Sequence, residues 1–198
     1  MDELTSLARA AGRGDRDALA RFVRQTQGDV WRFCAHLVDP AAADDLTQET
    51  YVRAIPALRR FRGEAPARAW LLSIARRTCA AEIGARTRDR ELAARLAAES
   101  AAGPPPSVPD PGAQTAIDLL LAALDPDRRT AFLLTQMIGC SYAEAADICD
   151  CPVGTIRSRV ARARADLDAM MAEPAPQGVS REASGGAASS ATCSGETV

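Results

Sequence analysis

Residues 141–169, SYAEAADICDCPVGTIRSRVARARADLDA, constrain the fold of this chain more than any other segment. Ser141 followed by Glu144 is a capping box: the hydroxyl can accept a backbone N–H of the first helical turn while the carboxylate reaches back to the cap. Ala143, Ala146 and Ile148 then give a short helix with a small, packable face, and Cys149-Asp150-Cys151 forms the turn. Pro152 suits the first position of a new helix, where its missing N–H would have no partner anyway. Arg157, Arg159, Arg162 and Arg164 follow on that second helix. Two short helices joined by a tight turn, the second one basic, form a helix-turn-helix, the element that enters a DNA major groove.

Composition agrees with a helical protein. Of 198 residues, 47% are hydrophobic but only 4% aromatic, and much of the apolar content is Ala, which favours thin helical cores over a sandwich or barrel. No stretch approaches the roughly 18 consecutive apolar residues of a membrane span. The start, MDELTSLARAAGRGDRD, is charged throughout and lacks a signal-peptide core, so a cytoplasmic location is expected. The formal net charge of −2 is unusual for a protein that binds DNA unaided. Its distribution is more telling: residues 53–95 hold 11 Arg against four acids, whereas residues 39–49 hold four acids and no base. A basic segment can face phosphates, but the overall balance predicts weak DNA binding by the free chain and a partner that supplies affinity.

The six cysteines, at 34, 79, 140, 149, 151 and 193, are scattered, and a cytoplasmic location argues against a disulfide framework. Cys140, Cys149 and Cys151 lack the CxxC knuckle of a zinc site, and the single histidine, His36, lies in the other half of the chain, so no metal is expected. Cys34, Cys79 and Cys149 read as small buried hydrophobes, and Cys193 as the most oxidisable. The sequence offers no nucleophile–base pair and no glycine-rich phosphate loop. It is therefore read as a non-enzyme with no cofactor and no small-molecule substrate.

Residues 97–114, AAESAAGPPPSVPDPGAQ, carry five prolines and read as an extended linker. Residues 173–198, rich in Ala, Ser, Gly and Pro, read as a disordered tail. Two helical units remain, 1–96 and 115–172. In the first, Leu19, Phe22, Val23, Val30, Phe33 and Leu37 mark an apolar stripe over 17–38. Leu46, Thr50, Ala54 and Leu58 share one face of a helix over 41–58, with Asp45, Gln48 and Glu49 on another, and Pro56 should end or kink that helix one residue earlier. A loop over 61–69 leads to a helix over about 68–86, where Trp70, Leu71, Ile74 and Ala75 alternate with Arg68, Arg76 and Arg77. In the second unit, helices are expected over 117–124, from Asp125-Pro126 to Ile138, and through the helix-turn-helix, with Gly139 as a left-handed cap.

The string CPVGTIRSRVARAR resembles the recognition helix of extracytoplasmic-function (ECF) sigma factors, the promoter-specificity subunits of bacterial RNA polymerase. Two further segments resemble the same family in the same order. DDLTQETYVRAIPAL (44–58) resembles the region that docks on the β′ clamp helices, and FRGEAPARAWLLSIARR (61–77) the region that melts and reads the −10 element. The resemblance covers residues 17–170 and implies an all-α protein of two small domains, sigma-2 and sigma-4, joined by a flexible Pro-rich linker.

It also implies core RNA polymerase, through the β′ clamp helices and the β flap, and promoter DNA as partners, with an anti-sigma factor as a further one. Asp44, Asp45, Gln48 and Glu49 would face the polymerase. Arg62, Arg68, Trp70, Arg76 and Arg77 would handle −10 DNA, where Arg planes and an aromatic face can hold unstacked bases. Arg157, Ser158 and Arg162 would read −35 duplex, Thr155 at the helix start would hold a phosphate, and Arg159 would serve phosphate or packing. Two positions depart from the family pattern: Arg77 stands where Asn is frequent, and Ala161 where an aromatic or His is frequent. They leave base preference at −10 and readout beside residue 161 open. The competing reading is a stand-alone dimeric helix-turn-helix regulator. It leaves the acidic stripe, the FRGE…AW loop and the linker unexplained.

Overall fold

The computed structural model describes residues 2–99 and 115–172. Among them the elements are all helical: α1 (Glu3–Gly12), α2 (Arg16–Leu37), α3 (Ala43–Ala57), α4 (Ala67–Glu99), α5 (Ala116–Ala122), α6 (Pro126–Phe132), α7 (Tyr142–Cys149) and α8 (Val153–Ala172). Short 3₁₀ turns precede and follow α3, and α6 runs on as a π turn over Leu133–Met137.

Most starts are written locally. Asp2 caps α1, its carboxylate accepting the Thr5 N–H at 2.6 Å. Asp15 caps α2 through the N–H groups of Asp17 and Ala18, each at 3.0 Å. Thr115 and Asp118 close a capping box on α5. Ser141 and Glu144 close the one expected on α7, with bonds of 3.1 and 2.8 Å. The start of α4 is different. The Ala67 N–H donates to the Thr5 hydroxyl of α1 at 3.0 Å, so a residue far away in sequence supplies the cap. The expected left-handed glycine at the end of the α6 segment is present, with Gly139 at φ 77°. At the end of α7, Asp150 takes φ 53°, a conformation that Asp tolerates better than most residues.

The first unit packs α2, α3 and α4 around Phe22, Val30, Phe33, Leu37, Leu46, Ala54, Leu58, Leu71, Leu72 and Ala75, all buried. α1, which the sequence reading leaves without structure, covers one end of this unit. Gly12 lets it approach the 3₁₀ turn Leu58–Arg60: a Cβ there would stand 2.3 Å from the Leu58 carbonyl oxygen. Thr26 of α2 and Tyr51 of α3 share a buried 2.7 Å hydrogen bond, satisfying two hydroxyls inside the core. The second unit buries Leu121, Leu124, Ala131, Leu133, Leu134, Ile148, Ile156, Val160 and Ala163. On α7, Ala145 joins Ala146 and Ile148 in the core, while Ala143 is exposed, a correction of the expected face.

Two helix boundaries depart from expectation. α3 runs past Pro56 to Ala57 and continues as the 3₁₀ turn. A proline in the final turn forfeits one hydrogen bond, from its missing N–H toward the carbonyl four residues back, and the helix goes only one residue further. α4 extends 13 residues beyond the expected end at 86. Past Gly84, all of its residues but Thr87 and Asp89 are Ala, Arg, Leu or Glu, strong helix formers. Arg86 anchors the middle of the helix by pairing with Glu82 at 2.6 Å and with Asp39. The helix thus takes in residues 97–99 of the expected linker. The rest of that linker and the tail with Cys193 lie outside the described residues.

The two units are packed on one another. α7 lies along α4, and α5 and the π turn reach α2.

Candidate nucleic-acid interface

On α8 the buried residues Ile156, Val160 and Ala163 fix the helix against the second unit. The opposite side carries Arg157, Ser158, Ala161 and Arg162, all exposed. Arg157 and Arg162 thus stand outward on one face with Ser158 between them, its hydroxyl donating to the Thr155 carbonyl at 2.9 Å. Thr155 is half-buried in the first turn. Arg159 does not join this face: it pairs with Asp127 of α6 and lies 3.7 Å from the Cys151 sulfur. Arg164 is exposed, but it donates to Gln136 at 2.6 Å. The face therefore offers two guanidinium forks and a hydroxyl, a set suited to base edges and phosphates.

The −10 candidates divide into two groups. Arg62, in the loop before α4, is exposed and 3.8 Å from Glu64. Arg77 is exposed, with a 3.4 Å bond to Ser73. Trp70 is half-buried, its ring 5.0 Å from that of Phe61 and tilted by 42°, so Phe61 is the packing residue that holds the indole. Arg68 and Arg76 are engaged elsewhere. Arg68 pairs with Asp29 at 2.7 Å and donates to the Ile138 carbonyl at 2.5 Å. Arg76 donates to the Ile148 carbonyl at 2.9 Å. Both acceptors belong to the second unit.

Two further contacts cross the same boundary. Arg129 of α6 donates through two of its nitrogens to the His36 carbonyl of α2. The His36 ring meets Asp118 of α5 at 2.9 Å. Burial raises the Asp118 carboxyl, but the Thr115 hydroxyl and N–H and the neighbouring His36 outweigh it and hold the group below the usual carboxylate range. Burial also pulls the Arg129 guanidinium below its ordinary value, with Asp118 opposing. The sequence reading missed these three residues. The signal available was the placement of prolines: Pro40 and Pro152 stand four residues after His36 and Ile148, so neither carbonyl can receive the usual helical N–H.

On α3, Asp44, Asp45 and Gln48 are exposed and Glu49 is half-buried. Asp44 accepts the indole N–H of Trp31 at 2.9 Å, and Glu49 pairs with Arg53 at 2.7 Å. The acidic stripe continues into apolar residues that the sequence reading missed. Val52 and Ile55 are 58% and 41% exposed, and Trp31 is 39% exposed beside Asp44. Val52 and Ile55 follow Gln48 at helical spacing, so the pattern was present but hidden in an apolar run. Acidic groups beside uncovered apolar side chains suit a protein partner.

The cysteines follow a packing logic. Cys34 and Cys79 are fully buried with sulfurs 3.6 Å apart. Cys149 is only partly buried, and its thiol is pushed up to about 11 by burial. No described helix is long and apolar enough to cross a membrane.

Comparison with known proteins places this geometry. Residues 22–89 match the family described as Sigma-70 region 2, and residues 114–167 match Sigma-70, region 4. The chain is 46% identical over 181 residues to the ECF RNA polymerase sigma factor SigC of Mycobacterium tuberculosis, covering 88% of this chain and 93% of that one. Among solved structures it is similar to CnrH in complex with the cytosolic domain of CnrY. That likeness has a TM-score of 0.65 at 27% identity, over 86% of this chain and 97% of that one. It is also similar to the sigma factor RpoE of Bartonella quintana in complex with the anti-sigma factor NepR. There the TM-score is 0.59 at 27% identity, over 77% of this chain and 96% of that one. These matches do not favour a stand-alone dimeric regulator. The chain belongs to the ECF sigma factors, initiation factors that bind core RNA polymerase and direct it to particular promoters.

Proposed function

We propose that residues 1–96 form the polymerase-docking and −10 domain and residues 115–172 the −35 domain, joined by the segment 97–114. Arg157 and Arg162 read −35 bases in the major groove, with Ser158 between them and Thr155 holding a phosphate at the helix start. Arg159 keeps α8 on α6 through Asp127, so its effect on DNA is indirect. Arg62, Arg68, Trp70, Arg76 and Arg77 handle the melted −10 strand. Asp44, Asp45, Gln48 and Glu49 dock on the β′ clamp helices, with Val52, Ile55 and Trp31 adding apolar area, and the second unit docks on the β flap. The protein acts in the cytoplasm with the polymerase and contributes no catalytic group of its own. The complexes of CnrH and RpoE with protein partners support an anti-sigma factor for this chain too.

The observation that carries the −35 assignment is the outward row Arg157, Ser158 and Arg162 on a helix anchored from behind. Run-off transcription with core RNA polymerase on a promoter library tests it. Wild-type protein is expected to start transcription at a shared −35/−10 pair. The Arg157→Ala/Arg162→Ala double variant should lose that initiation, and unchanged transcription by it would remove the −35 assignment.

A further inference from the structure

Cys34 of α2 and Cys79 of α4 meet in the core of the first unit, and neither is assigned to DNA or polymerase. Both are fully buried, and the Cys79 thiol donates to the Cys34 sulfur across 3.6 Å. A third group joins them from α3. The Thr47 hydroxyl is buried beside Cys34 and makes no other hydrogen bond among the described residues. The buried hydroxyls of Thr26, Thr50 and Thr78 instead each donate to a carbonyl of their own helix, the usual fate of such groups. The Cys79 thiol and, with it, the Thr47 hydroxyl favour the thiolate of Cys34, and against burial they hold that thiol below its ordinary value. Cys34 and burial push the Cys79 thiol the other way. One sulfur is thus prepared as a nucleophile, and the other keeps its proton beside it.

The distance suits a bond between them. Disulfide sulfurs stand about 2.05 Å apart, so closure needs a shift of roughly 1.5 Å, which side-chain rotation and a small helix adjustment cover. The two residues are 45 positions apart. The loop between them holds all of α3, with its acidic stripe, and the segment 61–77. A bond here closes those parts into one covalent ring. In a reducing compartment, disulfides are usually transient and redox-sensing, so such a bond differs from a permanent framework.

We propose that Cys34 and Cys79 are a peroxide-oxidised thiol pair, in which Cys34 attacks, Cys79 resolves, and the disulfide staples α2 to α4. The Cys34 thiolate attacks one oxygen of hydrogen peroxide and the O–O bond breaks. The departing hydroxide takes up the proton that the Cys34 thiol gave up and leaves as water. The Cys79 sulfur then attacks the Cys34 sulfenic acid, the S–O bond breaks, and its hydroxyl leaves as water with the Cys79 proton. The two thiols lose two electrons, and one peroxide is reduced to two waters. Burial selects a small oxidant that enters as the helices breathe, and excludes bulky disulfides.

The test treats the full chain with hydrogen peroxide in native buffer, blocks the remaining thiols and maps tryptic peptides by mass spectrometry. Peptide 33–53, holding Cys34, should appear joined to 78–86, holding Cys79, and dithiothreitol should part them. The other four cysteines fall in separate peptides, 130–157 and 182–198, so the assignment is unambiguous. The oxidised chain should melt about 5–10 °C above the reduced one. In Cys79→Ala, dimedone should trap a sulfenic acid on Cys34, whereas Cys34→Ala should leave Cys79 reduced. Circular dichroism checks that each variant folds, and the wild-type map decides the pairing without them. Recovery of 33–53 and 78–86 separate and reduced overturns the proposal, as does their joining only after denaturation. A bridge from either peptide to a different cysteine as the main product overturns it too. Dimedone on Cys79 rather than Cys34 overturns the order of attack, and an unchanged melting temperature overturns the staple.

Discussion

Arg157 and Arg162 differ from their neighbours Arg159 and Arg164 only in where the helix points them. Among the described residues the first two have no ion-pair partner, while Arg159 meets Asp127 and Arg164 meets Gln136. A bidentate arginine contact to guanine is worth about 1–3 kcal/mol of discrimination. Arg157→Ala and Arg162→Ala are each expected to lower −35-dependent initiation by roughly one order of magnitude, measured as run-off product at limiting protein. Arg159→Ala should instead lower the melting temperature, with a smaller effect on promoter choice. Gly12 is a second decisive residue. An alanine there would drive its Cβ into the Leu58 carbonyl, backbone that cannot swing away. Gly12→Ala is expected to destabilise the first unit by about 1–3 kcal/mol, visible as an earlier thermal transition.

At the scale of elements, α4 shows how a helix can depend on a distant residue for its start. Thr5 accepts the Ala67 N–H and donates its own proton to Asp2, linking the cap of α1 to the cap of α4. Thr5→Ala removes both links and should cost about 1 kcal/mol. Thr5→Ser, which keeps the oxygen, should recover most of it; equal melting of all three proteins would show that the cap contributes nothing. α3 was legible in its buried face, because Leu46, Thr50 and Ala54 keep strict helical spacing. Its outward face was legible only in its charged part. Val52 and Ile55 went unassigned in the sequence reading, since an exposed apolar residue carries no label of its own.

The whole molecule depends on charge at the boundary between units. Asp118 at that boundary, and Asp39 within the first unit, are each raised by burial but held lower overall. The Thr115 hydroxyl and His36 act on Asp118, and Arg86 with the Ala42 N–H acts on Asp39. A depressed carboxyl contributes stability that is present above its unfolded value and lost as pH falls through the folded one. Acidification below about pH 4 should therefore part the units before the helices melt. The scattering radius would rise while far-ultraviolet ellipticity is retained; coincident loss of both would rule out that order.

The sequence by itself determined the helix-turn-helix and most of the helices, though not α1 or the part of α4 past residue 86. Their signals are local: a capping hydroxyl three residues before a carboxylate, apolar residues at a period of 3.6, a proline at a helix start. It also placed Asp44, Asp45 and Gln48 on the surface, because their helix has one apolar face and these residues lie off it. Only the tertiary structure decided which arginines stay free. Arg68, Arg76 and Arg77 share one segment and look alike in sequence, yet two of them cross to carbonyls in the other unit and one stays in solvent. The Ile148 carbonyl is left open by Pro152 four residues on, and the Ile138 carbonyl lies just before the Gly139 turn, but which side chain reaches them depends on how the two units pack. That packing sums contacts between residues tens of positions apart, and no local period or spacing records it.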